Sequence, residues 1–433
     1  MVFLGRRFRT ACIRFATALS RMQHFVLRFL ALTIRFVCPL AALTLSDAET
    51  MGAYYLFISY FSFVVGISSL ELAVPYSKKY LRCKSDLQRK ILFSGFLVNL
   101  TIVSTALAIP TGVISVGWAA VPSALIPMFC LAIATEACVN EVGRFFWNIG
   151  EWKMPSLRDL IRSVIFTTAI LVSVYIENKI ITITMFLILT SGNLLIIIYE
   201  WKYWGRAHLS QNLRSINILH SSWLRVCRSM RGSMHQFLQM QILGLQPLLE
   251  RSLIEKTLGL STLASLSFLT SAMQSAASLQ IVPLVANVRQ HILSASSISQ
   301  RIEANRQVIL FTLKITAICA GWGVAVYLSI PFINNLLGKN LTVSPSFLFI
   351  AYSSSLSAIF CSAVAPIFTL KFIAPRTNLL TVLMMSFLLS AQYFVGKGND
   401  LGLLLIISGI AILQIVCRII FIIRDSNNIK LKI

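Results

Sequence analysis

The sequence predicts an all-α polytopic membrane protein with about twelve transmembrane helices in two six-helix pseudo-repeat lobes. Hydrophobic residues make up 57% of its 433 residues and charged residues only 12%, which excludes an ordinary water-soluble domain of this length. Twelve apolar segments follow one another, each near the ~20 residues that cross a ~30 Å hydrocarbon core. Segment length without strict alternation favours helices over the strands of a barrel.

Residues 1–23 are expected to form a basic cytosolic or interfacial segment. Its five arginines are interleaved with apolar residues such as Phe3, Phe8 and Phe15, and it has no acidic residue. That composition is typical of an amphipathic helix at an anionic membrane surface. A mitochondrial transit peptide and an over-extended start site are the alternatives.

The apolar segments divide into two halves. We expect an N-terminal lobe at 24–200, a cytosolic linker at 201–231, a C-terminal lobe at 232–424 and a cytosolic tail at 425–433. A faint repeat offset by 208 residues aligns Ser59 with Ser267 and Pro75 with Pro283, and repeated halves are common in transporters. The segments are 24–45, 52–77, 91–111, 119–140, 159–176, 181–200, 233–257, 260–288, 307–333, 346–370, 377–396 and 401–423.

The basic residues orient the chain. Most of the 38 Lys and Arg residues lie in alternate connections, including the one that holds Arg144, Arg158 and Arg162. The other connections hold only a few lysines, among them Lys179 and Lys339. This asymmetry predicts an even number of spans with both termini in the cytosol, in the cytoplasmic membrane. The net charge of +23 is therefore a topology signal and does not indicate a nucleic-acid partner.

No motif indicates an enzyme, a cofactor or a metal. The sequence has no P-loop, no G-x-S-x-G and no H-E-x-x-H, and none of its five histidines has a second ligand at metal spacing. The nine cysteines show no C-x-x-C spacing, so neither disulfides nor a metal site are expected. Nothing in the sequence therefore indicates a hydrolase or an ATP-driven pump.

The stretch Gly232–Gly259 carries a polar stripe on an otherwise apolar helix. His235, Gln239, Gln246 and Glu250 are spaced so that they share one side. Such groups cannot face lipid, because an unpaired polar group there costs several kcal/mol. The stripe is expected either to hydrogen-bond to other helices or to line a solute path.

Two arginines in the first segment must point inward. A central arginine costs ~3 kcal/mol on insertion scales, so Arg28 and Arg35 nearly cancel the tendency of this helix to insert. At ~1.5 Å per residue, Arg28 and Glu71 lie at similar depths, and a structural Arg28–Glu71 pair is one expectation. Arg35 lies near the midplane and is the strongest candidate for binding an anionic substrate.

Further charged residues are weaker candidates. Lys314 is a second cavity cation, with extension to the cytosolic surface as the alternative. Glu250, beside Arg251, is either a carboxylate that couples transport to a proton or ion, or part of a stabilising network. Glu141 and Arg144 are three residues apart and are expected to pair at the membrane surface.

Several stretches resemble polysaccharide repeat-unit flippases, the Wzx-type O-antigen or capsule translocases. They belong to the superfamily that also contains multidrug and toxin extrusion transporters. The similar stretches are LLERSLIEKTLGLSTLASLSFLTSAMQSAASLQIVP (Leu248–Pro283), NEVGRFFWNIGEWK (Asn140–Lys153) and Leu336–Ala358. Two departures are Glu71, where the family usually has a small residue or glycine, and the longer basic extension before the first helix.

The resemblance implies alternating access by two lobes around a cationic cavity. The substrate would be an undecaprenyl-pyrophosphate-linked oligosaccharide for O-antigen, capsule or exopolysaccharide synthesis. Partners would be membrane lipids, a polysaccharide polymerase and a chain-length regulator. The alternatives are a cation-coupled multidrug exporter and a membrane polymerase or ligase, although the short external connections do not favour an enzyme. A channel is disfavoured because no ring-forming acidic or carbonyl-rich loop is visible.

Overall fold

The computed structural model is helical throughout most of the chain. The residues that it describes are 26–35, 37–39, 41–42, 45–114, 121–151, 153–177, 179, 181–200, 234, 237–238, 241, 244–274, 298–337, 345–369, 382–384, 386–387, 390 and 400–430. Within them, the secondary structure consists of helices and turns without a strand.

The longer helices of these ranges are numbered in chain order. They are α1 (26–35), α2 (Ala48–Ser69), α3 (Ala73–Arg82), α4 (Asp86–Ile114), α5 (Ile126–Ile149), α6 (Lys153–Glu177), α7 (Ile183–Glu200), α8 (244–258), α9 (260–274), α10 (Ile298–Leu337), α11 (Pro345–Thr369) and α12 (Asp400–Lys430). Helical residues lie within every one of the twelve apolar segments. The predicted fold class, a helical membrane protein of two lobes, is confirmed.

Six of the described helices are long and apolar enough to cross a membrane. They are α2, α4, α5 with its preceding turn, α6, α7 and α12, and shorter apolar stretches occur at Thr316–Phe332 and Pro345–Cys361. Many large apolar side chains on these helices are exposed, including Leu195 and Leu328. Exposed apolar side chains on spanning helices face lipid, so the chain is a multi-pass membrane protein.

The N-terminal lobe is built around two aromatic clusters. In the first, Phe57 and Phe61 of α2 contact Phe129 of α5, with ring centroids 6.0 Å apart in both pairs. In the second, Phe96 of α4 stacks on Phe145 of α5 at 5.0 Å. All five rings are buried, and such pairs contribute about 0.5–1.5 kcal/mol beyond area burial. They fix α2 and α4 against α5, which carries several residues of the candidate site.

The C-terminal lobe has its own apolar core, and polar contacts join α11 to α12. Ser353 donates a hydrogen bond to the hydroxyl of Ser408 at 3.0 Å, and Ser357 donates to the side-chain oxygen of Gln414 at 2.9 Å. All four side chains are buried. Small polar residues allow close helix approach in a membrane, and their hydrogen bonds hold the pair together.

The two lobes meet where α8 and α9 pack on α2. Leu248, Ala264 and Phe268 are part of the apolar core of the N-terminal lobe. At Gly52 the helices approach so closely that a Cβ atom would lie 2.1 Å from the carbonyl oxygen of Leu260. Only glycine allows this approach without moving one helix.

The segment predicted at 52–77 is broken, which is a correction to the sequence analysis. Leu70 and Glu71 take left-handed backbone conformations, with φ of 50° and 53°, between α2 and α3. Non-glycine residues rarely adopt these values, because the Cβ atom approaches the backbone. An ion pair between the Glu71 side chain and Arg144 of α5 holds the break in place.

Two further helix boundaries differ from the prediction. The helix expected to end at 140 continues to Ile149, and the next begins at Lys153. Arg144, Arg158 and Arg162, which were placed in a cytosolic connection, are therefore helical residues. The predicted boundaries at 1–23 and 201–231 lie outside the described residues, and α12 continues past 425 to Lys430.

Candidate functional site

A cavity of about 660 Å³ lies within the N-terminal lobe, bordered on one side by α8 and α9 of the C-terminal lobe. We call it the central cavity. Helices α1, α2, α5, α6 and α7 contribute the remaining described walls. Because helices of both lobes line it, any relative movement of the lobes changes its shape.

Aromatic residues form much of the wall. They include Tyr54, Tyr55, Phe61, Phe166 and Phe268. Tyr54 and Phe166 face each other across α2 and α6 with ring centroids 6.4 Å apart. Aromatic surface of this kind offers apolar contact and π faces to an organic ligand.

Charged residues are concentrated in the same wall. Four arginines and three carboxylates line its described part: Arg35, Arg144, Arg162, Arg251, Glu136, Glu141 and Asp159. Charges inside a membrane protein are costly unless they are paired or face water, so each needs a partner or an aqueous surface.

Arg162 and Glu136 form an ion pair between α6 and α5. The other carboxylate oxygen of Glu136 accepts a hydrogen bond from the Asn193 side chain of α7 at 2.8 Å. Three helices are thus joined through one carboxylate. Because the two charges of this pair neutralise each other, the pair forms part of the wall without adding net charge to the cavity.

Arg144 makes a second network at the break between α2 and α3. Its guanidinium donates to Glu71 and, at 3.0 Å, to Glu141, which confirms the predicted Glu141–Arg144 pair. The second oxygen of Glu141 accepts a hydrogen bond from the backbone N–H of Ala73 at 2.8 Å. A carboxylate at this position caps the first turn of α3 and interacts favourably with the helix dipole.

Arg251 crosses from α8 to α2. It donates hydrogen bonds to the carbonyl oxygen of Tyr55 at 2.7 Å and to the hydroxyl of Ser59. Its guanidinium carbon also lies 5.7 Å from the centre of the Tyr55 ring. The residue therefore links the two lobes at the edge of the cavity.

Arg35 lies where the sequence analysis expected a cavity cation. Its side chain lines the central cavity, and its Nε–H donates to the hydroxyl of Ser163 at 2.8 Å. That hydroxyl in turn donates to the backbone carbonyl of Asp159 at 2.6 Å. The side chain of Asp159 also lines the cavity.

A second cavity of about 300 Å³, the interlobe cavity, lies beside the first. The two share five wall residues: Ser62, Gly66, Arg144, Arg251 and Gln274. Glu250 of α8 lines the interlobe cavity and is buried, with an exposed fraction of 5%.

Neutral groups hold the Glu250 carboxylate. It accepts hydrogen bonds from the Gln246 amide and the Ser354 hydroxyl, each at 2.6 Å. In the described part of the chain, Glu250 has no cationic partner within ion-pair distance. Gln246 and Glu250 belong to the predicted polar stripe, whereas His235 and Gln239 lie outside the described residues.

The expected Arg28–Glu71 pair is wrong. Glu71 pairs with Arg144, and the Arg28 guanidinium lies over the Trp147 ring at 4.7 Å from its centre. Arg28 is buried and does not line either cavity. The depth estimate treated 52–77 as one straight helix, and the left-handed break turns the Glu71 carboxylate towards α5.

Lys314 is exposed on α10 and lies outside the described walls of both cavities. This position fits the alternative weighed from the sequence, in which the lysine extends along the helix surface. Its assignment as a cavity cation receives no support from the geometry.

Sequence reasoning did not identify an inward-facing role for Arg162, Asp159 or the Arg158–Glu200 pair. In that pair both side chains are buried, with exposed fractions of 4% and 3%. Asp159 and Arg162 are three residues apart at the start of an apolar helix, a spacing that could have indicated an inward charged face. The predicted segment 159–176 already contained both residues, but Arg162 was counted with the preceding cytosolic connection.

The fold of this chain is similar to that of solved transporter structures. The crystal structure of the eukaryotic MATE transporter AtDTX14 is similar, with a TM-score of 0.50 and 12% identity over 94% of this chain and 99% of that one. A multidrug resistance MATE family transporter of the MOP superfamily, in an outward-facing conformation, gives 0.48 at 13% identity over 94% and 96%. No protein-family model and no curated protein sequence matches. The chain thus has a MATE-like fold.

Proposed function

We propose that this protein is an alternating-access transporter that exports an organic solute in exchange for a cation. The observation that carries the proposal is the central cavity, whose volume of about 660 Å³ is within the ~300–1,000 Å³ typical of small-molecule sites. Its aromatic and charged walls suit an amphipathic ligand. The MATE-like fold supports the same class of function.

The position of the cavity suits an alternating-access mechanism. Helices of both lobes line it, and the contact at Gly52 and the hydrogen bonds of Arg251 join the lobes beside it. A rocking movement of one lobe against the other would open the cavity to each side in turn. The asymmetry of basic residues supports an orientation with both termini in the cytosol, in the cytoplasmic membrane.

Glu250 is the proposed cation-coupling residue. A buried carboxylate held by neutral donors can bind a proton or a small cation without first breaking an ion pair. Arg144 and Arg251 line both cavities, so a change of charge at Glu250 acts directly on the wall of the central cavity. This shared wall provides the coupling between cation binding and solute release.

Reconstituted protein tests the proposal. Proteoliposomes with an imposed proton or sodium gradient should take up or release a fluorescent drug such as ethidium or a dansyl compound, and Glu250→Gln should abolish the dependence on the gradient. Glu303→Gln is the matched control, because Glu303 is exposed on α10 and outside both cavities. Absence of gradient-driven transport of any compound would contradict the proposal.

A second candidate function is translocation of a lipid-linked oligosaccharide. The observation in its favour is that Arg35 lines the described wall of the central cavity, where its guanidinium could bind a pyrophosphate-bearing head group. Membrane lipids, a polysaccharide polymerase and a chain-length regulator would then be partners.

The second candidate has its own test. Cells lacking the protein would accumulate lipid-linked repeat units, and wild type would relieve the accumulation. Arg35→Ala would not relieve it, and Arg35→Lys would do so in part. Equal rescue by wild type and Arg35→Ala would remove this candidate.

A further inference from the structure

Five of the seven charged side chains in the described wall of the central cavity are engaged with groups of the protein. Arg162 is paired with Glu136, and Arg144 is paired with Glu141. Arg251 is held by the carbonyl of Tyr55 and by Ser59. Arg35 and Asp159, one positive and one negative, take no part in these contacts.

Arg35 uses only part of its donor capacity. Among the described residues its one hydrogen bond is from Nε to Ser163, so the four N–H groups at the end of the guanidinium have no protein acceptor there. Its side chain is exposed where it lines the cavity. A guanidinium in this state matches the two oxygens of a carboxylate or phosphate.

Asp159 carries the opposite charge and is also without a direct partner for its side chain among the described residues. In the same described ranges its carboxylate has neither an ion pair nor a hydrogen bond, although it lines the cavity. Arg162, three residues along α6, is held by Glu136. Arg28, Arg35 and Arg162 interact with its charge at longer range, without forming an ion pair, so the carboxylate can still accept a cationic group of a ligand in the cavity.

The hydroxyl of Ser163 connects the Arg35 side chain to the backbone of Asp159. It lies one turn after Asp159 on α6 and accepts the Nε–H of Arg35 while donating to the Asp159 carbonyl. Asp159 and Ser163 are thus about 6 Å apart along the axis of α6, at ~1.5 Å per residue. Arg35 and Asp159 are not in ion-pair contact with each other, so a ligand can bind between them.

We propose that the central cavity binds zwitterionic organic solutes, with Arg35 holding the anionic group and Asp159 the cationic group of one ligand. The proposal rests on the transport function proposed above and names the substrate class of that site. The ligand satisfies both charges at once, and its apolar part lies against Tyr54 and Phe166. A ligand with a single charge leaves one of the two protein charges without a partner, which is costly in a low-dielectric site.

Three probes on one fluorophore test the proposal. Nε-dansyl-lysine carries both charges, dansylcadaverine has the amine without the carboxylate, and dansyl-6-aminohexanoate has the carboxylate without the amine. Binding to purified protein in lipid nanodiscs is measured by dansyl fluorescence. The zwitterion is expected to bind about tenfold or more tightly than either singly charged probe, since each charged hydrogen bond contributes ~1.5–3 kcal/mol.

Two neutralising variants assign the two roles. Asp159→Asn should remove the preference for the zwitterion over the anion, and Arg35→Gln should remove its preference over the cation. Asp86→Asn and Arg306→Gln, at exposed positions outside the cavity walls, are the matched controls and should preserve the wild-type order. If a neutralised variant does not fold, Asp159→Glu and Arg35→Lys keep each charge and should keep the order with weaker affinity.

The possible results distinguish a failure of this inference from a failure of the proposed transport function. Equal affinities for the three probes, no binding of the zwitterion, or an order unchanged by Asp159→Asn would overturn the inference. Gradient-driven transport of purely cationic compounds alone would leave the transport function standing and remove the zwitterion class. Absence of any gradient-driven transport would remove the transport function itself.

Discussion

The carboxylate of Glu71 pairs with the guanidinium of Arg144 from a backbone conformation that few non-glycine residues adopt. Glu71 has φ of 53° and an exposed fraction of only 3%. A strained conformation of this kind costs about 1–3 kcal/mol and persists only where its surroundings hold it. Here the ion pair with Arg144 stabilises the strained conformation of Glu71. The break between α2 and α3 therefore depends on this ion pair.

Two substitutions at Glu71 distinguish the effect of its backbone conformation on stability from the effect of its charge. Glu71→Ala and Glu71→Gly both remove the ion pair, but only glycine relieves the left-handed strain. We expect Glu71→Gly to be about 1 kcal/mol more stable than Glu71→Ala, as measured by thermal unfolding of purified protein in detergent. Both should be less stable than wild type. Equal stability of the two would show that the break does not depend on this backbone conformation.

Gly143 leaves little room for a side chain. A Cβ atom there would lie 2.7 Å from Nη1 of Arg158, whose side chain is buried and paired with Glu200. Gly143→Ala is therefore expected to shift the Arg158 guanidinium and to lower stability by about 1 kcal/mol, because it strains a buried ion pair without removing either partner. Gly95→Ala is the control, since no atom lies within 4 Å of its added Cβ and alanine favours the helix. A neutral Gly143→Ala, judged by thermal unfolding, would argue against the buried pair.

The approach of α2 to α9 at Gly52 predicts an effect on transport. Gly52→Ala should push the lobes apart, because its Cβ would lie 2.1 Å from a backbone oxygen that cannot rotate away. We expect tenfold or greater loss of transport in proteoliposomes. Gly321→Ala, where the added atom meets nothing within 4 Å, should transport at the wild-type rate. Wild-type transport by Gly52→Ala would show that this contact is opened during the cycle or is not needed.

Ser163 is predicted to position Arg35. Ser163→Ala removes the acceptor of the Arg35 Nε–H, so the guanidinium loses its fixed orientation. The KM for the transported solute should rise about 3- to 10-fold, because the guanidinium keeps its charge and loses only one positioning hydrogen bond, worth ~0.5–1.5 kcal/mol, with little change in the maximal rate. Ser386→Ala, which removes an exposed hydroxyl that donates to the backbone carbonyl of Val382 one turn earlier, should leave the KM unchanged. A fall in the maximal rate with an unchanged KM would contradict the positioning role.

Much of the architecture could be predicted from the sequence, because lipid imposes strong local rules on a membrane protein. Segment length and hydropathy predicted the helices, and helical residues lie in each of the twelve segments. The need to turn charge away from lipid predicted that Arg35 faces inward, and it lines the cavity. The same reasoning identified Glu250 and Gln246 as part of a buried polar stripe.

Charge partners could not be predicted in the same way. Arg28 and Glu71 were matched by depth, yet Glu71 turns to Arg144 and Arg28 turns to Trp147. Arg162 was counted with a cytosolic connection, although it belongs to the cavity wall. An ion pair depends on the relative rotation of two helices, and a single left-handed residue changes that rotation.

The sequence by itself determined that this chain is a helical membrane protein, because hydropathy and the placement of lysine and arginine act residue by residue. Only the tertiary structure decided which charges neutralise one another and which remain directed into the central cavity. The physical reason is that hydrophobic transfer is additive along the chain, whereas pairing of buried charges requires side chains from separate helices to meet within a few ångströms.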